Sequence, residues 1–574
     1  MKPRRFKPRG GKREETGAIV KQDKSLIKAA LVYPNTYQAG MSSLGFQTVY
    51  RLINALDTVA CQRVFLPEKA RTPAQARSEE AGLTLDQFDI ILFSISFEND
   101  VIHLVHLLRE AGIPSRSSDR NTIHPLVIAG GVACFLNPEP IADLIDCFLL
   151  GEAEMLIKPF FDLYTALPSR QHLLAQIESR LEGAYVPARH TPVLWKPAPA
   201  VSPTATPHRP SESAQSPIRV RHVPDLSTIS TATQVVTRDT AFKQSILIET
   251  GRGCPHGCRF CSAGYIYRPP RMYPASTITK AMDQAKDLTS KVGLVSSAVS
   301  NHPDINQICT YGIEQDLNLS FSSLRADALT DELIKSVAGS SVKTATIAPE
   351  AGSQHMRDII NKKLDQESIL SCVDRFVSAG IPNLRLYFMV GLPHETLEDV
   401  DAIADLTLEI KERFLESARK MKRIGTITLS INPFIPKPAT PFQWAAMRDP
   451  KDLKKRLDRI KTRLKAVSNV KIITESLKQA RINALLSRGD RNASYLIEAA
   501  AKDASWTRTL KTHAQYVHTV IHTDHHEDTP LPWAFIDNGL DPSFLSRENQ
   551  NAAKAKITPA CPMIDCQTCQ MCMA

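Results

Sequence analysis

The stretch GRGCPHGCRFCSAG, residues 251–264, places three cysteines within eight residues. Their spacing is C-x3-C-x2-C, and glycines stand at positions 251, 253 and 257 around them. The stretch directly follows SILIET, an apolar run that predicts a β-strand. Glycine lets a backbone curl closely around a bulky inorganic group, and thiolates are the expected ligands of iron–sulfur clusters. The sequence therefore predicts a metal site in the loop after this strand.

The bulk composition is that of a globular protein of several domains. The chain has 574 residues, of which 43% are hydrophobic and 23% charged, and its net charge is +10. No apolar run is long enough to span a membrane. The N-terminal MKPRRFKPRGGKREE is basic and lacks the apolar segment of a secretory signal. We therefore expect a cytoplasmic protein with a disordered basic tail, which either solvates the chain or attracts a polyanion; nothing else supports nucleic-acid binding.

Seven of the twelve cysteines form two tight groups, and the other five are scattered among apolar residues. Without a secretion signal, metal binding is a better interpretation of such groups than disulfide pairing. The second group occupies PACPMIDCQTCQMC, residues 559–572, and consists of Cys561, Cys566, Cys569 and Cys572. Its C-x2-C-x2-C run resembles that of ferredoxins. Four thiolates complete a closed site, so we expect a second iron–sulfur cluster there, with structural zinc as the alternative.

Alternating apolar strands and amphipathic helices predict an α/β fold in two successive domains. Residues 26–165 read as a Rossmann-like domain, and residues 241–447 contain six strand–helix repeats, which predict a partial (β/α)6 barrel. A Pro- and Ser-rich linker over 166–240 separates them. The region 448–574 reads as helical with a Cys-rich end, and the basic tail covers residues 1–25.

Ligands of parallel sheets bind at the carboxyl ends of the strands. In the first domain, four predicted strands end in proline, glycine or polar residues. They are Pro34–Asn35, Ser94 with Ser96, Gly130–Gly131 and Gly151–Glu152. We expect them to form a cofactor site.

With Phe260 before the third cysteine, the C-x3-C-x2-C motif resembles the signature of radical S-adenosylmethionine (SAM) enzymes. The resemblance covers residues 243–445. It implies that Cys254, Cys258 and Cys261 hold a [4Fe–4S] cluster whose fourth iron is chelated by the amino and carboxylate groups of SAM. An electron donor such as flavodoxin or ferredoxin would reduce the cluster, which would then cleave SAM to methionine and a 5′-deoxyadenosyl radical.

The same resemblance assigns further contacts to SAM. Glu350 would contact the ribose or amino group, Arg325 the carboxylate, and the turn GLPHET, which begins at Gly391, would lie near the adenine. The Gly-Gly-Glu usual after the second strand is missing here, and the hydroxyls of Ser296 and Ser297 in LVSSAVSN, or backbone groups there, would hold the methionine amine instead. Local structure is the alternative for each: a helix cap for Glu350 and a surface ion pair for Arg325.

Residues 26–165 resemble the cobalamin-binding-type domain that precedes many radical SAM domains, by the motifs YPNTYQAGMSSLGFQTVY, IAGGVACFLNPEP and LLGEAE. Cobalamin would lie over the strand ends and face the barrel. The D-x-H-x-x-G sequence that supplies a lower histidine ligand in other cobalamin proteins is absent. The alternative is a degenerate domain without a cofactor.

The leading functional hypothesis is a radical SAM enzyme, and methyl transfer to an unactivated carbon is the leading reaction. One alternative is an RNA- or protein-modifying enzyme that resembles methylthiotransferases, and another is a non-catalytic maturation or electron-transfer factor. The substrate, small or macromolecular, stays open. In SRGDR, Arg488 and Arg491 either clamp an anionic substrate or end a helix.

Overall fold

A computed structural model describes the chain except for residues 1–4, 7–12, 22, 24, 68–74, 167–168, 197–216, 341, 423, 564–565, 567–568, 570 and 572–574. Cys572, twelve residues of the basic tail and 22 residues of the Pro- and Ser-rich linker therefore lie outside the described residues.

The front part of the chain builds a sheet covered by helices on both faces. This part of the chain contains β1 (Arg5–Phe6), β2 (Glu15–Thr16), β3 (Ile27–Tyr33), β4 (Val59–Phe65), β5 (Ile90–Ser94), β6 (Leu126–Gly130) and β7 (Cys147–Leu149), of which β3 to β7 belong to the sheet. Its helices are α1 (Tyr37–Met41), α2 (Leu44–Asn54), α3 (Val101–Glu110), α4 (Val132–Leu136) and α5 (Ala153–Ala166). The strand order is β4-β3-β5-β6-β7, all parallel. Apolar side chains of the strands pack against the helices on either face, as expected for a doubly covered parallel sheet.

The segments on either side of this domain are more ordered than the sequence suggests. Within the region expected to be a tail, β2 pairs with β1, and Glu15 lies buried against Arg63 with an N···O distance of 2.7 Å. The linker region supplies α6 (Arg170–Arg180) and three short strands, namely β8 (Ala184–Tyr185), β9 (Ile218–Arg219) and β10 (Val236–Thr237). β8 adds an antiparallel edge to the front sheet, and β10 pairs with β2. Tertiary pairing here overrides a composition that is typical of linkers.

The second domain contains all six strands that the sequence predicts. Its strands are β11 (Ile246–Glu249), β12 (Gly251–Arg252), β13 (Arg271–Met272), β14 (Lys291–Val295), β15 (Asn318–Phe321), β16 (Thr344–Glu350), β17 (Asn383–Val390) and β18 (Ile427–Pro433). Its helices are α7 (Ala275–Lys286), α8 (Ile305–Glu314), α9 (Asp331–Gly339), α10 (Gln354–Ile359), α11 (Gln366–Ser378) and α12 (Leu397–Lys420). β11-β14-β15 form one parallel sheet, and β16-β17-β18 belong to a second. The small pair β12-β13 encloses the cysteine loop.

The last region is mostly helical, but it also contains two strands that the sequence does not predict. It contains α13 (Pro450–Leu464), β19 (Val470–Thr474), α14 (Leu477–Arg488), α15 (Ala493–Asp503), α16 (Trp506–Thr512), α17 (Ala514–His522), β20 (Ile536–Asp537) and α18 (Pro542–Ala553). β19 pairs in parallel with β18 and extends the barrel sheet to four strands. No helix among the described residues is long and apolar enough to cross a membrane.

Candidate active site

The cysteine motif lies in the loop between β12 and β13. Gly253 adopts φ = +85°, and a Cβ there would approach the carbonyl oxygen of Tyr267 to 2.6 Å, so glycine is required. The loop is tied internally by a hydrogen bond from the Cys261 N–H to the Cys258 carbonyl (3.0 Å) and by Tyr265, whose hydroxyl donates to Gly257 O (3.0 Å). These two hydrogen bonds help to fix the conformation of the loop from within residues 257–265.

The three thiols lie near one another in a largely buried site. Burial and, second, the neighbouring Cys258 raise the pKa of Cys261 to about 12. Burial and Cys258 also raise the pKa of Cys254. Such thiols become thiolates only when a metal replaces their protons. Among the described residues, no group of three or more His, Cys, Asp or Glu side chains is arranged to hold a single metal ion. In a cluster, by contrast, each cysteine binds a different iron.

Three cations surround the thiols. Arg325 and Lys362 lower the pKa of Cys254 by their charge. Lys363 lies close enough to Cys258 for the charge of Cys258 to raise the pKa of Lys363. Arg325 also forms an ion pair with Asp327 (2.9 Å) and donates to the carbonyl oxygen of Lys362 (3.0 Å). Positive charge around three thiols suits a thiolate-ligated cluster, so the residues present fit such a group.

The ammonium of Lys363 is the least satisfied of these cations. Its Nζ is buried and has no hydrogen-bond partner among the described residues, and burial lowers the pKa of Lys363 to about 8. Lys363 lies two residues after Asn361, and both adopt positive φ (50° and 53°, respectively) in the turn after α10. Sequence reasoning missed Lys362 and Lys363, because a basic pair after a helix ordinarily indicates a solvated surface.

The residues predicted to contact SAM surround the same loop. Glu350 ends β16 at a bulge with φ = +69°, and its carboxylate pairs with Lys362 at 3.3 Å. Phe260 packs against an apolar cluster that includes Ala351 and Leu392. Arg325 has the local ion pair that we gave as its alternative role, yet it faces the thiols as well. Their contacts with SAM stay predictions.

Gly391 begins the turn before α12, with φ = +82°. Its N–H donates to the Glu395 carboxylate (2.8 Å), which also pairs with the buried Arg456 (2.7 Å). Thr396 caps α12 in a reciprocal capping box with Asp399. The contacts of Glu395 and the capping box of α12 therefore both stabilise the turn.

A cavity of about 550 Å³ lies between the front domain and the barrel. Ser94, Ser96, Gly130 and Gly131 line it from the front sheet, and Ser297 lines it from the barrel. Arg252 and Gly253, which directly precede Cys254, form part of the same wall. The structure thus brings these five predicted cofactor-binding residues to one cavity beside the cysteine loop.

One predicted strand end does not reach this cavity. Pro34 and Asn35 are not among its lining residues. The Asn35 amide donates instead to Asp100 (2.8 Å), and α1 begins directly afterwards and covers the end of β3. Gly151 and Glu152, by contrast, line the cavity as expected.

The lining suits a large, mainly apolar ligand. Leu31, Leu92 and Ile128 contribute side chains from three neighbouring strands. Gly45 at the start of α2 also lines the cavity, and a Cβ built on it would meet no atom within 4 Å. The described lining includes no histidine, cysteine or methionine. A corrinoid would fit this wall without a protein imidazole on its cobalt.

A network of ion pairs joins the two domains at the floor of the cavity. Arg252 contacts Glu152 and Glu154 of the front domain, each at 2.8 Å, and Glu249 of β11 at 2.9 Å. Arg271 adds a second contact to Glu152 at 2.7 Å. Burial would raise the pKa of Glu152, but these two arginines and His222 hold it well below its usual value. No local motif indicates this long-range network.

The SRGDR motif is structural. Arg491 pairs with the buried Glu139 (3.1 Å) and hydrogen-bonds to Tyr185 (2.6 Å), while Arg488 donates to backbone carbonyls, including that of Thr523. The Asn137 amide donates to the carbonyls of Ser487 and Gly489. The motif ends α14 and joins the last region to the front domain, so the anion-clamp interpretation of these arginines is wrong.

The C-terminal cysteines lie close to the cysteine loop. Cys561 and Cys569 are buried and Cys566 is half-buried. The Cys561 N–H donates a hydrogen bond to the carbonyl oxygen of Pro255 (2.8 Å). The fourth predicted ligand, Cys572, lies outside the described residues, so the structure leaves the C-terminal metal site a prediction.

Comparison with known proteins identifies both domains. The family described as radical SAM proteins, N-terminal, matches residues 45–187, and the radical SAM superfamily matches residues 248–407. An uncharacterized protein of Methanocaldococcus jannaschii is 28% identical over 494 residues, which cover 85% of this chain and 94% of that protein. The ribosomal protein uS12 methylthiotransferase RimO of Clostridium botulinum is 26% identical over 194 residues, 30% of this chain and 42% of RimO.

Two solved structures are similar in outline. The radical SAM methyltransferase TsrM from Kitasatospora setae, with cobalamin and a [4Fe–4S] cluster bound, has a TM-score of 0.47 at 10% identity, covering 84% of this chain and all of TsrM. The cobalamin-dependent radical enzyme OxsB has a TM-score of 0.43 at 14% identity, covering 66% of this chain and 52% of OxsB. At these scores neither structure bears on the chemistry of this chain.

Proposed function

The chain belongs to the radical SAM superfamily, and we propose that it is an enzyme that cleaves SAM reductively and transfers a methyl group to an unactivated carbon with the help of a corrinoid. The observation that carries the proposal is the shared wall at Arg252 and Gly253. These two residues line the interdomain cavity and directly precede Cys254, so a ligand in the cavity lies beside the cysteine loop.

In this proposal, Cys254, Cys258 and Cys261 hold a [4Fe–4S] cluster and leave one iron open to SAM. When bound, the cluster would supply the electron that breaks a carbon–sulfur bond of SAM, and the corrinoid would supply a cobalt that carries a methyl group. The protein binds and orients both groups and keeps water away. Arg325, Glu350 and the turn at Gly391 would bind SAM, with Lys362 holding the Glu350 carboxylate in place.

The front domain would bind the corrinoid over the ends of β5 and β6. Gly130 and Gly131 allow a flat ring to approach the backbone closely, and the hydroxyls of Ser94, Ser96 and Ser297 offer hydrogen bonds at its edge. Apolar side chains from the strands would exclude water from the ring face. Among the described residues that line the cavity, none is a histidine.

The buried thiols of the front domain favour this proposal over a methylthiotransferase-like function. We expect such an enzyme to hold a further cluster on three front-domain cysteines. Here Cys61, Cys134 and Cys147 are each 2% exposed or less, and they sit in apolar packing. Burial raises the pKa of each of them above the usual value.

The test is anaerobic reconstitution of the full chain from cells grown with and without cobalamin. We expect corrinoid absorbance in the first preparation, and 5′-deoxyadenosine and S-adenosylhomocysteine when SAM and a reductant are added. An intact cluster that yields neither product would favour a non-catalytic factor. Cleavage of SAM without any bound corrinoid, under saturating supply, would refute the methyl-transfer part alone.

We also propose a cytoplasmic location and a flavodoxin or ferredoxin as electron donor. Both suit a site whose thiols must stay reduced until the cluster is assembled. Analysis of the products that the reconstituted protein forms with a cell extract would identify the substrate class.

A further inference from the structure

A buried ion pair connects the cysteine loop to the last region of the chain. Arg259 stands between Cys258 and Cys261 and is fully buried. Its guanidinium pairs with Glu548 of α18 at 3.1 Å, and the Glu548 side chain is only 2% exposed. The two residues are 289 positions apart in the sequence. α18 therefore returns to the loop over a long stretch of chain.

Arg259 is anchored through its backbone as well as its side chain. Its N–H donates to the carbonyl oxygen of Ile360 (3.0 Å) at the end of α10. All three guanidinium nitrogens donate as well: Nε and Nη2 to Glu548, Nη1 to Ile359 O (2.7 Å), and Nη2 also to Lys556 O (2.6 Å). With its donors occupied in this way, Arg259 holds the loop in place and has no part in binding a ligand.

The same carboxylate also fixes the residues that follow α18. The second oxygen of Glu548 accepts from the Thr558 hydroxyl (2.6 Å). The Thr558 N–H donates to Asn361 Oδ1 (3.0 Å), and the Asn361 amide donates to Gly257 O (3.0 Å). Asn361 thus bridges the loop and the segment after α18, and it forms a second anchor beside the ion pair.

The two anchors lie on either side of one cysteine. Gly257 and Arg259 are the direct neighbours of Cys258, so Asn361 and Glu548 restrain the peptide units before and after this thiol. Groups that orient a metal ligand affect the metal nearly as strongly as the ligand itself. The match to the radical SAM superfamily ends at residue 407, so the ion-pair anchor comes from a part of the chain that this family model does not cover.

We propose that Glu548 and Asn361 are positioning residues of the active site, which set the direction in which the Cys258 thiol meets the cluster, Glu548 through Arg259 and Asn361 through Gly257. The inference rests on the proposed function for the identity of that cluster. Loss of the Glu548 charge leaves a buried guanidinium without its partner, which is strongly unfavourable. The loop around Cys258 would then relax, and the cluster would be held less firmly.

The first test compares E548Q with a matched control, E139Q, in the full chain. Glu139 pairs with Arg491 at the same distance, 3.1 Å, and this pair also joins the last region to an earlier domain, without contact to the cysteine loop. We expect a lower urea midpoint in both variants. After anaerobic reconstitution, only E548Q should lose its iron to a chelator faster than wild type, by at least about tenfold. Equal rates of iron loss in E548Q and E139Q would overturn the role of Glu548.

The second anchor is tested by N361G. Asn361 adopts φ = +53°, which glycine tolerates, so this substitution removes the bridge to Gly257 with little backbone strain. We again expect faster loss of iron than in wild type. Because N361G leaves the buried ion pair intact, it gives a result even where E548Q does not fold. Iron loss at the wild-type rate in N361G would overturn the role of Asn361.

Electron paramagnetic resonance of the reduced cluster adds a measurement that a purely structural role would not affect. E548Q should give an altered signal before SAM is added, and E139Q should give the wild-type signal. An unchanged signal in E548Q would contradict the positioning role.

The response to SAM separates this inference from the proposed function. If the wild-type signal does not respond to SAM while E548Q still loses iron faster than E139Q, the proposed function fails and the positioning role stands. If the wild-type signal responds and all variants keep iron equally well, the positioning role fails and the proposed function stands.

Discussion

Arg252 and Glu152 meet at 2.8 Å across the boundary between the two domains, with side chains only 10% and 5% exposed. Arg252 is the charge partner of three carboxylates at once, so its side chain holds the front domain against the strand that leads into the cysteine loop. This ion pair sets the position of the interdomain cavity relative to Cys254.

Replacement of Arg252 should therefore destabilise the protein. In R252A, three carboxylates would face one another without this partner, and loss of one member of a buried pair costs about 3–5 kcal/mol. We expect a lower urea midpoint by circular dichroism. The control R459A removes an exposed pair with Asp401 and should cost less than about 1 kcal/mol. Equal effects of the two substitutions would show that the interdomain pair contributes no more than a surface contact.

Filling the interdomain cavity should abolish corrinoid binding without loss of the first cluster. Gly45 lines the cavity and has room for a side chain, so G45F would occupy space that the ring needs. We expect at least a tenfold loss of corrinoid absorbance per protein and an unchanged iron content. G339F makes the same change at a solvent-exposed helical glycine that also has room. Normal corrinoid content in G45F would place the corrinoid elsewhere.

Removal of the Lys363 charge should make the first cluster harder to reduce. Reduction adds an electron, and a buried ammonium near Cys258 favours it by Coulomb attraction. In K363M we expect the reduction potential to become more negative by tens of millivolts, measured by redox titration with paramagnetic resonance detection. K335M, on the exposed face of α9, should leave the potential unchanged. A more positive potential in K363M would contradict this placement of the charge.

Asp490 should give the protein a specific dependence of stability on pH. Burial raises its pKa to about 6, although Tyr516 and the N–H groups of Trp195 and Asn492 donate to it. The folded state thus holds the proton more tightly than the unfolded chain. The wild type should therefore lose stability relative to D490N as pH rises from about 4 to about 6, and the difference should then level off.

The loss should amount to about 3 kcal/mol at most, since each unit of pKa corresponds to about 1.4 kcal/mol. Denaturation midpoints of both proteins at half-unit pH steps measure it. If the wild type instead gained stability relative to D490N as pH rises from about 4 to about 6, a raised pKa of Asp490 in the folded state would be excluded.

The sequence predicts those parts of the site that follow from local pattern. Strand periodicity placed Ser94 and Gly130 at strand ends, and parallel strands bring such ends to one edge, so both reach the cavity. Glycine spacing around Cys254, Cys258 and Cys261 likewise predicted a tight loop.

Features made by distant contacts escaped prediction. Arg252 and Glu152 are 100 residues apart, and nothing near either residue indicates its partner. Lys363 faces the thiols only because its turn adopts positive φ. A lysine in the sequence does not predict such a backbone conformation. β19 was missed because its burial is partial and its neighbours are helical.

The interdomain cavity has walls from two domains, and neither domain encloses it alone. Any molecule that binds both walls therefore favours their closed arrangement, and mass action converts its affinity into conformational stability. At a free concentration 100 times its dissociation constant, such a ligand would add about 2.7 kcal/mol. The supply of cobalamin would then govern the resistance of the folded chain to proteolysis as well as its catalytic rate.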